Sequence, residues 1–560
     1  MTDKPLKIGL LLDDYIIPAW TLVMIEEIMA SDYAEINLVV VNDNDKIQEN
    51  KTVKEKLSRN SGRLPYLIVR RSLEAIYSKL IERNTYLTNA EEPKDSHELL
   101  QSITSIKVKT IRKTWSDYFQ PTDVKTIEQH APDILLRLGF GILRGDILKS
   151  ARYGIWSFHH GDNRVNRGGP AGYWESMQGW PDTGSVLQIL SEDLDNGKIL
   201  YRSFSCTNAM SVQDNKSNYY WKTLSFVSRK LRELHSDGAE KFFAKVDDDN
   251  RHPEFYSERL YTQPNNTELA KLTFNKVLEK ISHLYRSKFV LDQWILMFDL
   301  KEEFSSSLWR YKKIIPPVDR FWADPYIIHR DGKYYIYIEE YPYATDKGHI
   351  SLITMDEEGN YDEPQVVLDK PYHLSYPYVF EHEGVTYMIP ESMDNRTIEL
   401  YECTEFPDKW EFKMNLMQDI IAVDATLLRH NGKWWMFANV LEREDMSSFD
   451  ELCVFYSDEL LSNEWTPHRM NPVISDCSRA RPAGNFFEQQ GKIYRPSQNC
   501  STRYGYGYNI SEVTTLNEND YSEELVSSVK PNWDKKIIGT HTFNRVGNLH
   551  IIDAIYRRRK

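Results

Sequence analysis

The sequence predicts an α/β plus all-β chain: a Rossmann-like, doubly wound domain followed by a five-bladed β-propeller. Three observations predict it. The first half alternates buried-strand and amphipathic-helix patterns. After about Asp292 the texture changes to short strands rich in aromatics. Within that second half one hairpin pattern recurs five times, and a propeller accommodates such repetition because it leaves only short, protected edges. At 560 residues the chain is also too long for a single hydrophobic core.

"KIGLLL" (Lys7 to Leu12) reads as a buried parallel strand, and a helix starts near Pro18, proline being favoured at the first helical position. "INLVVV" (Ile36 to Val41) is the next strand. "DILLRLGFGIL" (Asp133 to Leu143) is another, running into Gly139 and Gly141, where backbone can approach a ligand closely. Ser217 to His235 reads as the helix that closes this domain. From Asn266 to Phe289, the positions Leu269, Leu272, Val277, Leu278, Ile281, Leu284 and Tyr285 fall on a helical period, which predicts a connector packed on a neighbour. The repeat follows: "DPYIIHRDGKYYIY", "YPYVFEHEGVTYMI", "DATLLRHNGKWWMF", "AGNFFEQQGKIYRP" and "GTHTFNRVGNLHII". Its turn glycines, Gly332, Gly384, Gly432, Gly491 and Gly547, are spaced by 52, 48, 59 and 56 residues, room for four strands per unit. The predicted boundaries are 1–245 for the α/β domain, 246–291 for a helical connector and 292–560 for the propeller.

Composition narrows the function. A formal charge of −14 and a pI near 5.6 count against nucleic acid or an anionic membrane as the main partner. Arg557-Arg558-Arg559-Lys560 is a local exception, read as a solvated tail. Five scattered cysteines without a CxxC argue for a reducing compartment and against a cysteine zinc site. Acidic Asp13-Asp14 stops the first apolar run too early for a signal peptide, and no apolar stretch approaches a membrane span. The expectation is a cytoplasmic protein with no membrane or nucleic-acid partner, its oligomeric state left open.

The stretch "YGIWSFHHGDNRVNRGGPAGYWE" (Tyr153 to Glu175) sets histidines, an aspartate and arginines in a glycine-rich loop straight after an apolar strand. Polar groups at the end of a buried strand are a usual way to build a site on a rigid support. His159 is followed by seven residues and then Arg167-Gly168, and Asp195 of "LDNG" lies 36 residues after His159. This order resembles the catalytic domain of the folate-dependent formyltransferases over roughly residues 1–240. The resemblance implies 10-formyltetrahydrofolate as co-substrate and an amino group of a small molecule or glycan as acceptor. It further implies His159 as general acid/base, Asp195 to orient it, and Ser157 near the formyl oxygen. Leu138, Gly139, Gly141, Ile142, Leu143 and Asp193 would contact the folate, while His160, Asp162, Asn163 and Arg167 would face the acceptor. One departure stands out. Ser157 replaces the family's asparagine, and loss of one oxyanion donor typically costs about 10²–10³ in rate.

The propeller segments "WADPYII", "HLSYPYVFEHEGVTYMIPES", "VDATLL" and "RPAGNFF" resemble the propeller of plant glucosamine inositolphosphorylceramide transferases and, more distantly, the arabinanase-type glycosidases. That second group implies aspartates in the first and third blades and a glutamate acid in the fourth. Asp324 and Asp424 stand in the first two places, each eight residues before its turn glycine. The fourth place has Arg479, Arg481 and Ala483 instead, and arginine cannot act as a general acid. Glu391 is a candidate for that role. The economical reading is a glycan-binding funnel lined by Asp324, His373, Tyr376, Glu391, Asp424, Arg481 and His541. His541 also resembles a fifth-blade histidine that lies near a calcium ion in the arabinanase-type group; no metal ligands are assigned. The leading expectation is thus an N-formyltransferase fused to a carbohydrate-recognising propeller. The alternatives are a propeller-centred glycosidase or glycan transferase beside a non-catalytic or altered-donor first domain, and a glycan-binding module without catalysis.

Overall fold

Strand β1 (Leu6–Leu12) puts Leu6, Ile8, Leu10 and Leu12 on one face of its sheet and Leu11 on the other, the alternation expected of a strand covered on both sides. It pairs in parallel with β2 (Ala34–Asn42), which pairs in parallel with β3 (Ser105–Val108). On its other flank lie β4 (Ile134–Arg137) and β5 (Ile155–His159), again parallel. Strands β6 (Asp182–Ile189) and β7 (Lys198–Cys206) extend that side, giving the order β7-β6-β5-β4-β1-β2-β3. Helices α1 (Ala19–Met29) and α3 (Val212–Asp237) pack on one face, and α2 (Pro121–Gln129) on the other. Ser211 caps α3 by accepting from the Asp214 N–H at 3.1 Å. The strand expected over Asp133 to Leu143 is broken after Arg137, because Phe140 takes a left-handed backbone (φ 65°) and the chain resumes as a separate strand at Ile142–Arg144.

The computed structural model describes residues 4–44, 72, 88–113 and 115–560. The chain divides into two units, Met1–Ser203 with Thr207–Leu278, and Phe204–Cys206 with Glu279–Lys560. Helix α4 (Asn266–Phe289) runs through the division. No described helix is long and apolar enough to cross a membrane.

The second unit is five antiparallel sheets in succession. The first four hold residues 320–368, 375–418, 421–475 and 487–529; the fifth joins β8 (Val290–Leu300) to residues 537–559. Successive apolar cores close them into a ring. One links the fifth sheet to the first, a second runs through the first three, a third joins third to fourth, and a fourth joins fourth to fifth. The fifth blade is closed by pairing β8 with the last strand along its whole length, Val290 opposite Arg559 through Leu300 opposite Leu549, which leaves no long edge at the seam.

The innermost strands β9 (Arg320–Arg330), β10 (Ser375–His382) and β11 (Ile421–His430) share one irregularity. Each shifts register near its start, between Ala323 and Tyr326, Ser375 and Tyr378, and Val423 and Thr426. The residue inside each shift has a left-handed backbone: Asp324 (φ 51°), Tyr376 (φ 42°) and Asp424 (φ 56°). Such conformations cost about 1–3 kcal/mol each and concentrate at functional sites.

Candidate functional site

In the first unit β5 delivers Ser157 and His159, and a loop returns Asp195 beside them. His159 Nδ1 lies 3.4 Å from Asp195 Oδ1, and its Nε2 lies 2.7 Å from the Asn166 carbonyl oxygen. The second Asp195 oxygen accepts from the Gly168 N–H at 3.2 Å. Burial alone would push the imidazole down; the hydrogen bond and charge of Asp195 outweigh it and raise His159 above its ordinary value. Burial would likewise raise Asp195, and His159 holds it below its ordinary value instead. Both ring nitrogens of His159 are thus engaged, one facing Asp195 and the other the Asn166 carbonyl.

The neighbouring residues are similarly bonded inward. Ser157 Oγ accepts from Arg137 at 3.2 Å and lies 3.4 Å from the Phe158 carbonyl, and Arg137 also donates to the carbonyls of Phe140 and Gly141. His160 stacks among Trp20, Phe158, Tyr219 and Tyr220, and burial pushes its imidazole well down. Asp162 holds Arg164, Asn163 donates to the Asp195 carbonyl, and Arg167 donates to the Asn163 carbonyl. A cleft of about 280 Å³ opens nearby, lined in part by Asp13, Trp20, Arg137, Leu138, Gly139 and His160. Gly141, Ile142 and Leu143 lie outside that lining; the Gly141 N–H donates to Asp117, and the other two pair with the strand Ser116–Tyr118. Asp193 is exposed in a turn with Ser191.

At the propeller axis the three left-handed residues meet groups from the other blades. Hydrogen bonds run from blade to blade: the Asp324 N–H donates to Asp553, the Tyr376 N–H to Asp324, and the Tyr376 hydroxyl meets Thr426 at 3.0 Å and accepts from the Gly484 N–H at 2.8 Å. Arg481 clasps Asp424 through Nε (2.5 Å) and Nη2 (3.2 Å) and lies 3.6 Å from Glu391. Gln498 donates to the same Asp424 oxygen at 2.8 Å. Arg481 is therefore spent on carboxylates and is not a free cation for an anionic sugar. His541 lies between Asp553 (2.5 Å) and Asp324 (3.6 Å), and His373 faces Glu339 at 3.5 Å.

Five buried carboxyls, Asp324, Glu339, Glu391, Asp424 and Asp553, thus face two cationic groups. The surplus shows in their titration. Burial, then the charge of Asp424, raises Glu391 to about 7 against the opposing pull of Arg481 and Ser375. Burial and neighbouring carboxylates push Asp324 and Glu339 well up. Asp553 goes the other way. Burial would raise it, but the charge of His541 and bonds from His541 and Thr542 hold it below its ordinary value. Aromatic faces adjoin the acids: Trp294 stacks on His541 at 4.1 Å, and Tyr504 covers Arg481 at 5.1 Å and stacks on Phe449.

Sequence reasoning missed Glu339, Asp553, Trp294, Tyr504 and Gln498. For Asp553 and Glu339 the available signal was acid inside an apolar strand, a single one in "HIIDAIY" and an adjacent pair in "YIYIEEY". Among the described residues Asp324, His541 and Asp553 bring three potential ligand atoms within 4.8 Å of one another. Both Asp553 oxygens are already taken by His541 and Thr542, so the donor set fits an internal ion pair better than a cation.

Residues 315–554 match the family described as glucosamine inositolphosphorylceramide transferase 1, N-terminal. A glucosamine inositolphosphorylceramide transferase 1 of Oryza sativa subsp. japonica is 32% identical over 210 residues, 37% of this chain and 28% of that protein, so the chain spans only this part of its relative. Among solved structures, a family 117 glycoside hydrolase of Zobellia galactanivorans is 13% identical, covering 48% of this chain and 90% of its own (TM-score 0.31). A glycinamide ribonucleotide transformylase of Symbiobacterium toebii is 12% identical, covering 42% and 89% (TM-score 0.27). Both likenesses are too slight to carry a functional reading.

The relatives correct the leading expectation. They are named for transfer chemistry on glucosamine and inositolphosphorylceramide, not for moving a formyl group. The formyltransferase assignment and 10-formyltetrahydrofolate are withdrawn, and the folate contacts expected of Leu138, Gly139, Gly141, Ile142, Leu143 and Asp193 go with them. The physical reason is that the motif's spacing fixes a loop, with His159 on the Asn166 carbonyl and Asp195 on the Gly168 N–H. A structural cross-link needs that loop as much as a catalyst does.

Proposed function

We propose that this chain is a glycan transferase component whose chemistry sits at the propeller axis, with an amino sugar linked to inositol phosphate as its substrate class. The single observation behind the reading is the surplus of buried acid there, with Glu391 raised to about 7. A group poised near neutrality both gives and takes a proton efficiently. In this reading Glu391 protonates the leaving oxygen of the sugar or deprotonates the attacking hydroxyl. The Arg481–Asp424 pair fixes its position and its proton affinity. The rings of Trp294, Tyr504 and Phe449 offer apolar faces for the C–H side of a sugar. The substrate class follows the relatives' name and is carried to this chain as part of the proposal. In the first unit, the reading assigns His159 and Asp195 a structural part.

Calorimetric titration with a water-soluble glucosaminyl-inositol phosphate tests it. Saturable binding is expected, weakened about tenfold by Tyr504→Ala, the effect of one good aromatic contact, and unchanged by His159→Gln. Absence of binding to the wild-type chain at millimolar ligand removes the reading.

A further inference from the structure

Helix α4 has two apolar faces and covers one of them. Leu269, Leu272 and Lys276 are buried, the leucines against Tyr173, Trp174, Met177 and Tyr261. On the opposite side Phe274, Leu278, Ile281, Leu284, Tyr285 and Phe289 are exposed, Ile281 at 57% and Tyr285 at 62%. At 3.6 residues per turn these six fall within an arc of about 140°. Single exposed apolar side chains need no explanation, whereas a continuous stripe over four turns marks a surface that something covers.

Charge says what covers it. The last turns of α4 carry Arg286 and Lys288. The final strand brings further basic residues to the same end: Arg559 pairs with Val290, the Lys560 N–H donates to the Phe289 carbonyl, and Lys560 Nζ donates to the Ser287 carbonyl at 2.6 Å. Arg557 is paired with Asp292, while among the described residues Arg558 donates to the neutral Gln293. Arg286, Lys288, Arg558, Arg559 and Lys560 therefore gather at the aromatic end of the stripe, in a chain whose net charge is −14. The overall charge does not cancel them at a distance, since solution screening acts within about 8 Å at physiological salt. A second copy is a poorer occupant. Pairing two helices in parallel sets basic cluster on basic cluster. Pairing them antiparallel sets the cluster against a first turn whose Glu268 is already held by Arg259.

We propose that α4 lies in the interface of an anionic bilayer, with the stripe from Phe274 to Phe289 at the boundary of headgroups and acyl chains and the basic cluster on the anionic headgroups. The inference rests on α4 and residues 557–560, and not on the glycan reading. Vesicle flotation of the full chain tests it, using phosphatidylcholine alone and phosphatidylcholine with about one-third phosphatidylserine. The chain is expected to float with the anionic vesicles only. Ile281→Glu with Tyr285→Glu abolishes this, and Arg558→Glu with Arg559→Glu weakens it by about tenfold or more. All four side chains lie outside the cores, so unchanged thermal unfolding verifies that the variants fold. No flotation with anionic vesicles overturns the proposal. So does a dimer by light scattering that Ile281→Glu dissociates, which would assign the stripe to a second copy.

Discussion

Two histidine–aspartate pairs, one in each unit, are bonded to opposite ends. His159 meets one carboxylate, Asp195, and one carbonyl, with the charge of buried Glu175 acting on it as a lesser influence. His541 lies between two carboxylates, and beyond Asp324 stand Glu391 and Asp424, which share Arg481, and Glu339, which faces His373. A surplus of buried acid forces carboxyls to hold protons near neutral pH, which is the state a general acid needs. The pair itself says little about function; the ratio of acids to bases around it decides.

The largest effect separating the two regions is expected from Arg481→Met, which strands Asp424 and Glu391 in the propeller. Denaturant unfolding should report a loss of about 3–5 kcal/mol. His159→Gln should cost about 1–3 kcal/mol, the range for leaving a buried polar partner unsatisfied. Equal losses would break the comparison.

Turnover comes next. Glu391→Gln should lower it by about 10²–10⁴, the usual weight of general acid–base catalysis, while leaving stability intact because the variant is neutral at every pH.

The pH dependence of stability sharpens the contrast further. Glu391 is raised to about 7 in the folded chain, so its stabilising contribution is complete below the ordinary carboxylate value and is lost as pH rises through about 7. Asp324 and Glu339, also raised, act in the same direction. Asp195, held below its ordinary value, acts oppositely, its contribution being lost only as pH falls into the acid range. Thermal unfolding between about pH 5 and pH 8 should fall with pH in the wild type and more shallowly in Glu391→Gln. The smallest effect belongs to Ser157→Ala, which removes an acceptor from Arg137. It should cost about 1 kcal/mol in denaturant unfolding and leave turnover unchanged.

The propeller was legible because its turns demand glycine. Gly332, Gly384, Gly432, Gly491 and Gly547 all take positive φ, so the repeat is written in a residue type that few others can replace. The eight-residue offset from those glycines led to Asp324 and Asp424, and the same offset applied to Gly384 gives Tyr376. Glu339 and Asp553 were not legible, since their role depends on which blades adjoin and no local spacing records that. The break after Arg137 was hidden because Phe140, an apolar residue in an apolar run, supplies the left-handed turn. For α4, periodicity reported an amphipathic helix correctly but is silent on which face is covered. In the first unit the motif's spacing brought His159, Asp195 and Gly168 together as expected, and spacing alone does not say what chemistry such a loop serves.

The most direct measurement is mass-spectrometric detection of sugar transfer or release from a glucosaminyl-inositol phosphate by the wild type, Glu391→Gln and His159→Gln side by side. Product from the wild type and from His159→Gln, with none from Glu391→Gln, is the predicted result. Product that survives in Glu391→Gln and disappears in His159→Gln would place the chemistry in the first unit and contradict the account.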